Sequence, residues 1–166
     1  MKWKWIVLGT LVASWAVGAD SQTNSPARTP EELGKRMASV LIAGDTNAAA
    51  ILLPSYEAYM PICMMHLGET PATEANLRLV YSRFMGRLRK QIAQFPTEFA
   101  KATPFKADQI DKVDVTPQQE TGRTNWCDVD LTFRVKDQKF LLKLDECLQF
   151  SNGWYFVDMD WCGKQE

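Results

Sequence analysis

The stretch WCDVDLTFRVKDQKFLLKLDECLQFSNGWYFVDMDWC, residues 126–162, decides the fold class. Its first ten residues alternate. Cys127, Val129, Leu131, Phe133 and Val135 share one face, and Asp128, Asp130, Thr132 and Arg134 share the other. Successive side chains of a strand point to opposite faces, so the pattern predicts a β-strand with one face in a core. Residues 136–139 turn the chain, Phe140, Leu142 and Leu144 resume the apolar face, and Asn152-Gly153 is a two-residue hairpin signal. The last strand is expected from Trp154 to about Cys162. These loops pair Val135 with Phe140 and Ser151 with Trp154. Leu131 then lies beside Leu144, Leu144 beside Trp161, and Leu148 beside Val157. A one-residue slip would turn the apolar set into water.

Working upstream, Ile110, Val113 and Val115 mark an earlier strand, and residues 118–122 a turn. Before Pro104 the period is helical. Leu77, Val80, Tyr81, Phe84, Leu88, Ile92 and Phe95 form a stripe at 3.6-residue spacing, which predicts a long helix from Thr70 or Thr73 to about Gln94. Pro96 ends it, with a short turn over 97–102 continuing the chain. Residues 55–70 hold Tyr56, Tyr59, Met60, Pro61, Cys63 and His66 and read as irregular and mostly buried. Thr29-Pro30-Glu31-Glu32 is a helix start, with Thr29 as cap, Pro30 at the first helical position and Glu32 completing a capping box. Leu33, Met37, Val40 and Leu41 give that helix its apolar face, Gly44 stops it, and Asp45 caps a short second helix ended by Pro54. Helices first and an antiparallel sheet after them make an α+β domain, with N-terminal helices packed on a curved sheet of about four strands.

The N-terminus reads as an export signal. A basic start (Lys2, Lys4), an apolar run over 6–18 and the small residues Val17-Gly18-Ala19 are the three parts of a signal peptide, here residues 1–19. The run is shorter than the roughly 20 apolar residues of a membrane anchor, so no stable span is expected after cleavage. Residues 20–28 are polar and read as a disordered lead-in, and 29–166 as one domain. The whole chain has 19 basic and 20 acidic residues, and without Lys2 and Lys4 it has 17 against 20, a net of −3. That balance argues against a nucleic-acid partner. Cys63, Cys127, Cys147 and Cys162 form an even set behind the export signal, which favours disulfides in a periplasmic or secreted domain. Four cysteines allow three connectivities. Alternation points Cys127 inward and Cys147 outward, so a direct bond between them needs a bulge.

The order of these elements, with the break AGDTNAAAILL and the closing meander LQFSNGWYFVDMDW, resembles the nuclear transport factor 2-like superfamily. The resemblance runs from about Pro30 to Trp161. It implies a cystatin-like cone, in which the curved sheet wraps the helices around a pocket. Tyr81, Phe84, Leu131, Phe133, Leu144, Met159 and Trp161 would line that pocket. The superfamily contains both enzymes and binding domains, so fold alone does not assign a role.

Three places could carry chemistry. Glu146 falls between Leu144 and Leu148 on the inner face, where it would be desolvated; the resemblance implies that such an inner carboxylate can serve as general base, with His66 or a Tyr as its helper. A β-bulge near Asp145-Glu146 would instead turn it out. On the outer face the registers make Asp130, Asp145 and Asp160 direct neighbours, with Asp128 and Asp158 in the next row. That is either a divalent cation site or a solvated acidic face relieved by Lys143, Lys164 or helix arginines. The remaining inner positions are apolar. The expected function is therefore a non-enzymatic exported domain, without a cofactor, that binds a small apolar ligand or a protein partner through its cone or sheet face. A homodimer through the sheet is a further arrangement of this kind. The alternative is a small ketosteroid isomerase-like or polyketide cyclase-like enzyme that uses Glu146.

Overall fold

The computed structural model describes residues 25–60, 73–119, 125–150 and 152–165. Helix α1 (Pro30–Ala43) starts as its sequence dictates: Thr29 Oγ1 accepts the Glu32 N–H at 3.1 Å, and Pro30 fills the first turn. Such a cap contributes about 1 kcal/mol. The Glu32 carboxylate accepts the N–H of Arg28 at 2.8 Å, one residue upstream of the group a capping box would use. Gly44, at φ 66°, ends the helix in the left-handed conformation that glycine adopts without strain. Asp45 Oδ1 then accepts the Asn47 and Ala48 N–H groups, both at 3.0 Å, and opens α2 (Thr46–Ala49), which runs into a 3-10 turn at Ala50–Leu52.

Helix α3 (Glu74–Ala102) is longer than its sequence predicts and passes through Pro96. Proline in a helix removes one hydrogen bond and costs about 3 kcal/mol in isolation. Here the residues on either side offset that cost. Phe95 and Phe99 are 4 % and 0 % exposed, and their rings pack on Phe133 with centroids 5.3 and 6.2 Å away. Burying two such aromatic side chains contributes several kcal/mol. Thr103 closes the helix, its N–H reaching the Phe99 carbonyl at 3.0 Å. Within the irregular region, residues 56–60 are helical.

The chain is an α+β protein whose helices precede a curled antiparallel sheet. The strands are β1 (Lys112–Gln119), β2 (Trp126–Val135), β3 (Gln138–Phe150), β4 (Gly153–Tyr155) and β5 (Asp158–Gln165). β1 pairs β2 and β2 pairs β3, while β4 and β5 pair successive parts of the far edge of β3. They are thus two pieces of one fourth strand, interrupted at Phe156-Val157.

Both hairpins are two residues out of the expected register. Leu131 faces Leu142 rather than Leu144, Trp161 also faces Leu142, and Leu148 faces Tyr155. The first loop is the pair Lys136-Asp137, with Lys136 at φ 53°, and Phe150 pairs with Gly153 across the second. Alternation fixes which face a residue occupies but not its partner, so a shift of two leaves every apolar residue inside. Gly153 serves a close approach rather than the centre of the turn. A Cβ there would lie 2.5 Å from Pro26 Cβ and 2.7 Å from the Ala27 carbonyl oxygen. Ala27 is fully buried, bridges Trp154 and accepts its N–H at 2.8 Å. Ala27 is thus packed and hydrogen-bonded although it lies in the segment expected to be a disordered lead-in.

Between the helices and the sheet lies one continuous core. It joins Leu33, Met37 and Leu41 of α1 and Leu88, Ile92 and Phe99 of α3 to Val129, Leu131, Phe133, Phe140 and Leu144. Among the described residues no helix is long and apolar enough to cross a membrane.

Candidate functional site

Among the described residues most of the inner face of the sheet is filled by the core. Leu131, Phe133 and Leu144, expected to line a pocket, are completely buried in the core. Phe84 stacks on Tyr59 with centroids 4.0 Å apart, and the Tyr81 hydroxyl donates to the Pro54 carbonyl at 2.9 Å. Met159 and Trp161 of the expected set border a cleft.

This half-open cleft of about 220 Å³ lies between the C-terminal half of α3 and strands β3 and β5. Phe95, Phe99, Leu142, Met159 and Trp161 are its apolar residues, and Gln91, Gln94 and Glu98 its polar ones. The aromatic wall is fixed by its neighbours: Trp161 meets Phe95 and Phe99 edge-on at 6.0 and 5.5 Å and stacks on Phe140 at 6.4 Å. One polar group in the cleft is unpaired. Gln91 Nε2 donates to the Met159 carbonyl at 3.5 Å, but the buried Gln91 Oε1 finds no donor among the described residues. A buried acceptor without a partner costs about 1–3 kcal/mol. The sequence hides this site because Pro96 reads as a helix end before Glu98 and Phe99, whereas the helix continues to Ala102. The 3.6-residue spacing of Gln91, Gln94, Phe95 and Glu98 was the signal that could have found it.

Glu146 is not in the cleft. The β2–β3 ladder runs through Val129–Leu144 and resumes at Cys127–Cys147, so Asp145 and Glu146 oppose the single residue Asp128. This is the β-bulge that competed with the inward reading. Glu146 takes φ 52°, and its N–H donates to Asp128 Oδ1 at 3.1 Å. The side chain is half-buried rather than enclosed. His66 and Cys63 lie outside the described residues.

The acidic row also changes. The two-residue shift puts Lys143, not Asp145, between Asp130 and Asp160. The expected trio is thus interrupted by a cation, and Arg87 of α3 reaches Asp158 at 3.4 Å. Asp130 Oδ2 accepts from Gln118 Nε2 at 3.2 Å. Asp145 keeps the strain of the cluster. Burial, a hydrogen bond with Asp160 and the charges of Asp128 and Asp160 push its carboxyl up to about 6. Among the described residues, no three His, Cys, Asp or Glu side chains come together as a metal site.

The bulge has its largest effect on the cysteines. It reverses the parity of β3, so Cys127 and Cys147 become direct cross-strand partners, both buried. They are free thiols, and Cys162 is exposed at a second irregularity, where β5 slips against Leu141-Leu142. No family model, curated protein or solved structure matches the chain.

Proposed function

We propose that the chain is an exported, non-enzymatic binding domain of the nuclear transport factor 2-like kind, which takes a small, mainly apolar ligand in the cleft between α3 and β5. The observation that carries this reading is the pairing of an aromatic and aliphatic floor with the unpaired carbonyl of Gln91. Binding sites combine an apolar lining with a few placed polar groups that orient the ligand. The cleft asks for a ring or short chain bearing one O–H or N–H donor. Its volume of about 220 Å³ is below the range of drug-sized sites, which favours a compact ligand.

The order of helices and curled sheet supports the family reading. The basic start, apolar run and small residues at 1–19 support export, and recovery of a mature chain beginning at Asp20 tests it. An enzyme built on Glu146 would need that carboxylate in the cleft, and it is not one of the lining residues.

The test uses 1-naphthol, which carries one donor, and naphthalene, which carries none. Wild-type protein is expected to bind 1-naphthol the more tightly, with a change in Trp161 emission. Gln91→Leu should cost 1-naphthol about five-fold in affinity, the worth of roughly one hydrogen bond, and leave naphthalene little changed. Met159→Trp, which fills the cleft, should abolish both. Absence of 1-naphthol binding at millimolar concentration, or binding undiminished by Met159→Trp, would sink the proposal.

A further inference from the structure

Cys127 and Cys147 stand opposite each other in the β2–β3 ladder and are 2 % and 0 % exposed. Directly opposed residues of antiparallel strands have Cα atoms about 4.5 or 5.5 Å apart. Both spacings lie inside the roughly 4.4–6.8 Å window that a disulfide spans. The thiols are within hydrogen-bonding reach of one another, and Cys147 Sγ also contacts the Leu144 carbonyl at 3.4 Å. The bulge fixes this encounter, since without the extra residue at Asp145-Glu146 the two side chains would occupy opposite faces. Two local features hold the bulge itself: the left-handed φ of 52° at Glu146 and the hydrogen bond from its N–H to Asp128.

We propose that Cys127 and Cys147 form a cross-strand disulfide that staples β2 to β3 at the bulge. The oxidant is a low-molecular-weight disulfide such as glutathione disulfide. Cys127 Sγ loses its proton and attacks one sulfur of the oxidant, which forms a mixed disulfide and releases one thiolate. Cys147 Sγ, deprotonated in turn, attacks Cys127 Sγ and releases the second thiolate. The two cysteine protons end on the two released thiols, and the two electrons of the cysteine pair reduce the oxidant. In the folded chain the hydrogen bond with Cys147 lowers the Cys127 thiol, while burial pushes Cys147 up. Both sulfurs are closed to solvent in the folded chain, so the exchange belongs to folding, before the sheet closes over them.

The experiment refolds the full chain in a glutathione and glutathione disulfide buffer. Thiols are then blocked with iodoacetamide in denaturant, so that buried sulfur is reached. Digestion without reduction uses trypsin and chymotrypsin, because Phe150 provides the cut that separates Cys147 from Cys162. The expected product joins residues 127–133 to 144–150, two hydrogens lighter than the separate peptides. Alkylated Cys127 and Cys147, or either joined to Cys63 or Cys162, overturns the pairing. A Cys63→Ser/Cys162→Ser variant leaves no other partner. Reduction should lower its Tm by about 10 °C, the effect of opening a loop of this length. An unchanged Tm overturns the stapling.

Discussion

On the inner face of β2, Val129, Leu131 and Phe133 are completely buried, whereas Asp128, Asp130 and Thr132 on the outer face of the same strand remain half-exposed. The inner residues meet close-packed carbon, so their contribution depends on volume and shape. The outer residues meet charges screened by water, so theirs depends on sign, proton occupancy and salt. One strand thus has a face that tolerates almost no change in size and a face that tolerates most changes in side chain. The cleft beside Trp161 lies at the border of the two.

Phe99→Ala gives the largest effect and breaks the inner face. Phe99 is fully buried, and its ring meets those of Phe95, Phe133, Phe140 and Trp161 at 5.4–6.2 Å. Truncation should cost about 3–5 kcal/mol in denaturant unfolding. A loss under about 1 kcal/mol would mean that the region around Pro96 does not pack as a helix on the sheet.

Gly34→Ala is expected next and probes the same face by overfilling. A Cβ at residue 34 would lie 2.5 Å from Val115 Cγ1 and 2.9 Å from Val129 Cγ1. Valine cannot easily rotate away, because its χ1 is restricted. The added methyl gains up to about 1 kcal/mol of helix propensity. It loses about 1–3 kcal/mol to overpacking, so the net change is destabilising. Adding Val115→Ala should recover part of the loss. A stabilised single variant would show that α1 does not approach β1 this closely.

The two faces were unequally legible in the sequence. Period-2 alternation from Cys127 to Val135 and the stripe from Leu77 to Phe95 were enough for the fold class, because inside and outside follow from hydrophobicity alone. The stop at Gly44 and the cap at Asp45 were readable because each is a local backbone event. Pairing across strands was not, since alternation is blind to a shift of two, and that shift moved Lys143 between Asp130 and Asp160. Nor could the bulge be placed by pattern. It depends on Glu146 adopting φ 52° and on Asp128 accepting its N–H, a conformation that no apolar period announces. The candidate site was missed for a third reason. Local propensity at Pro96 argued for a helix end, and long-range burial of Phe99 overrode it.

Asp145→Asn has the smallest expected effect and sharpens the outer half of the comparison. Asp145 faces Asp128, Asp158 and Asp160, with Lys143 beside it, and its carboxyl is raised from the ordinary 3.8 to about 6. Between those values the folded state holds a proton that the unfolded chain has released, so stability falls as pH rises through the window. Below the ordinary value both states are protonated and the penalty vanishes. Asparagine keeps a donor toward Asp160 at every pH and carries no charge. The variant should therefore match the wild type near pH 3.5 and exceed it at pH 7.5, by no more than about 1 kcal/mol after screening by solvent. The difference between the two unfolding profiles isolates this group, because the remaining carboxylates titrate alike in both proteins. A difference that is flat across pH 4–6 would place Asp145 away from Asp160 and return the outer face to an ordinary solvated surface.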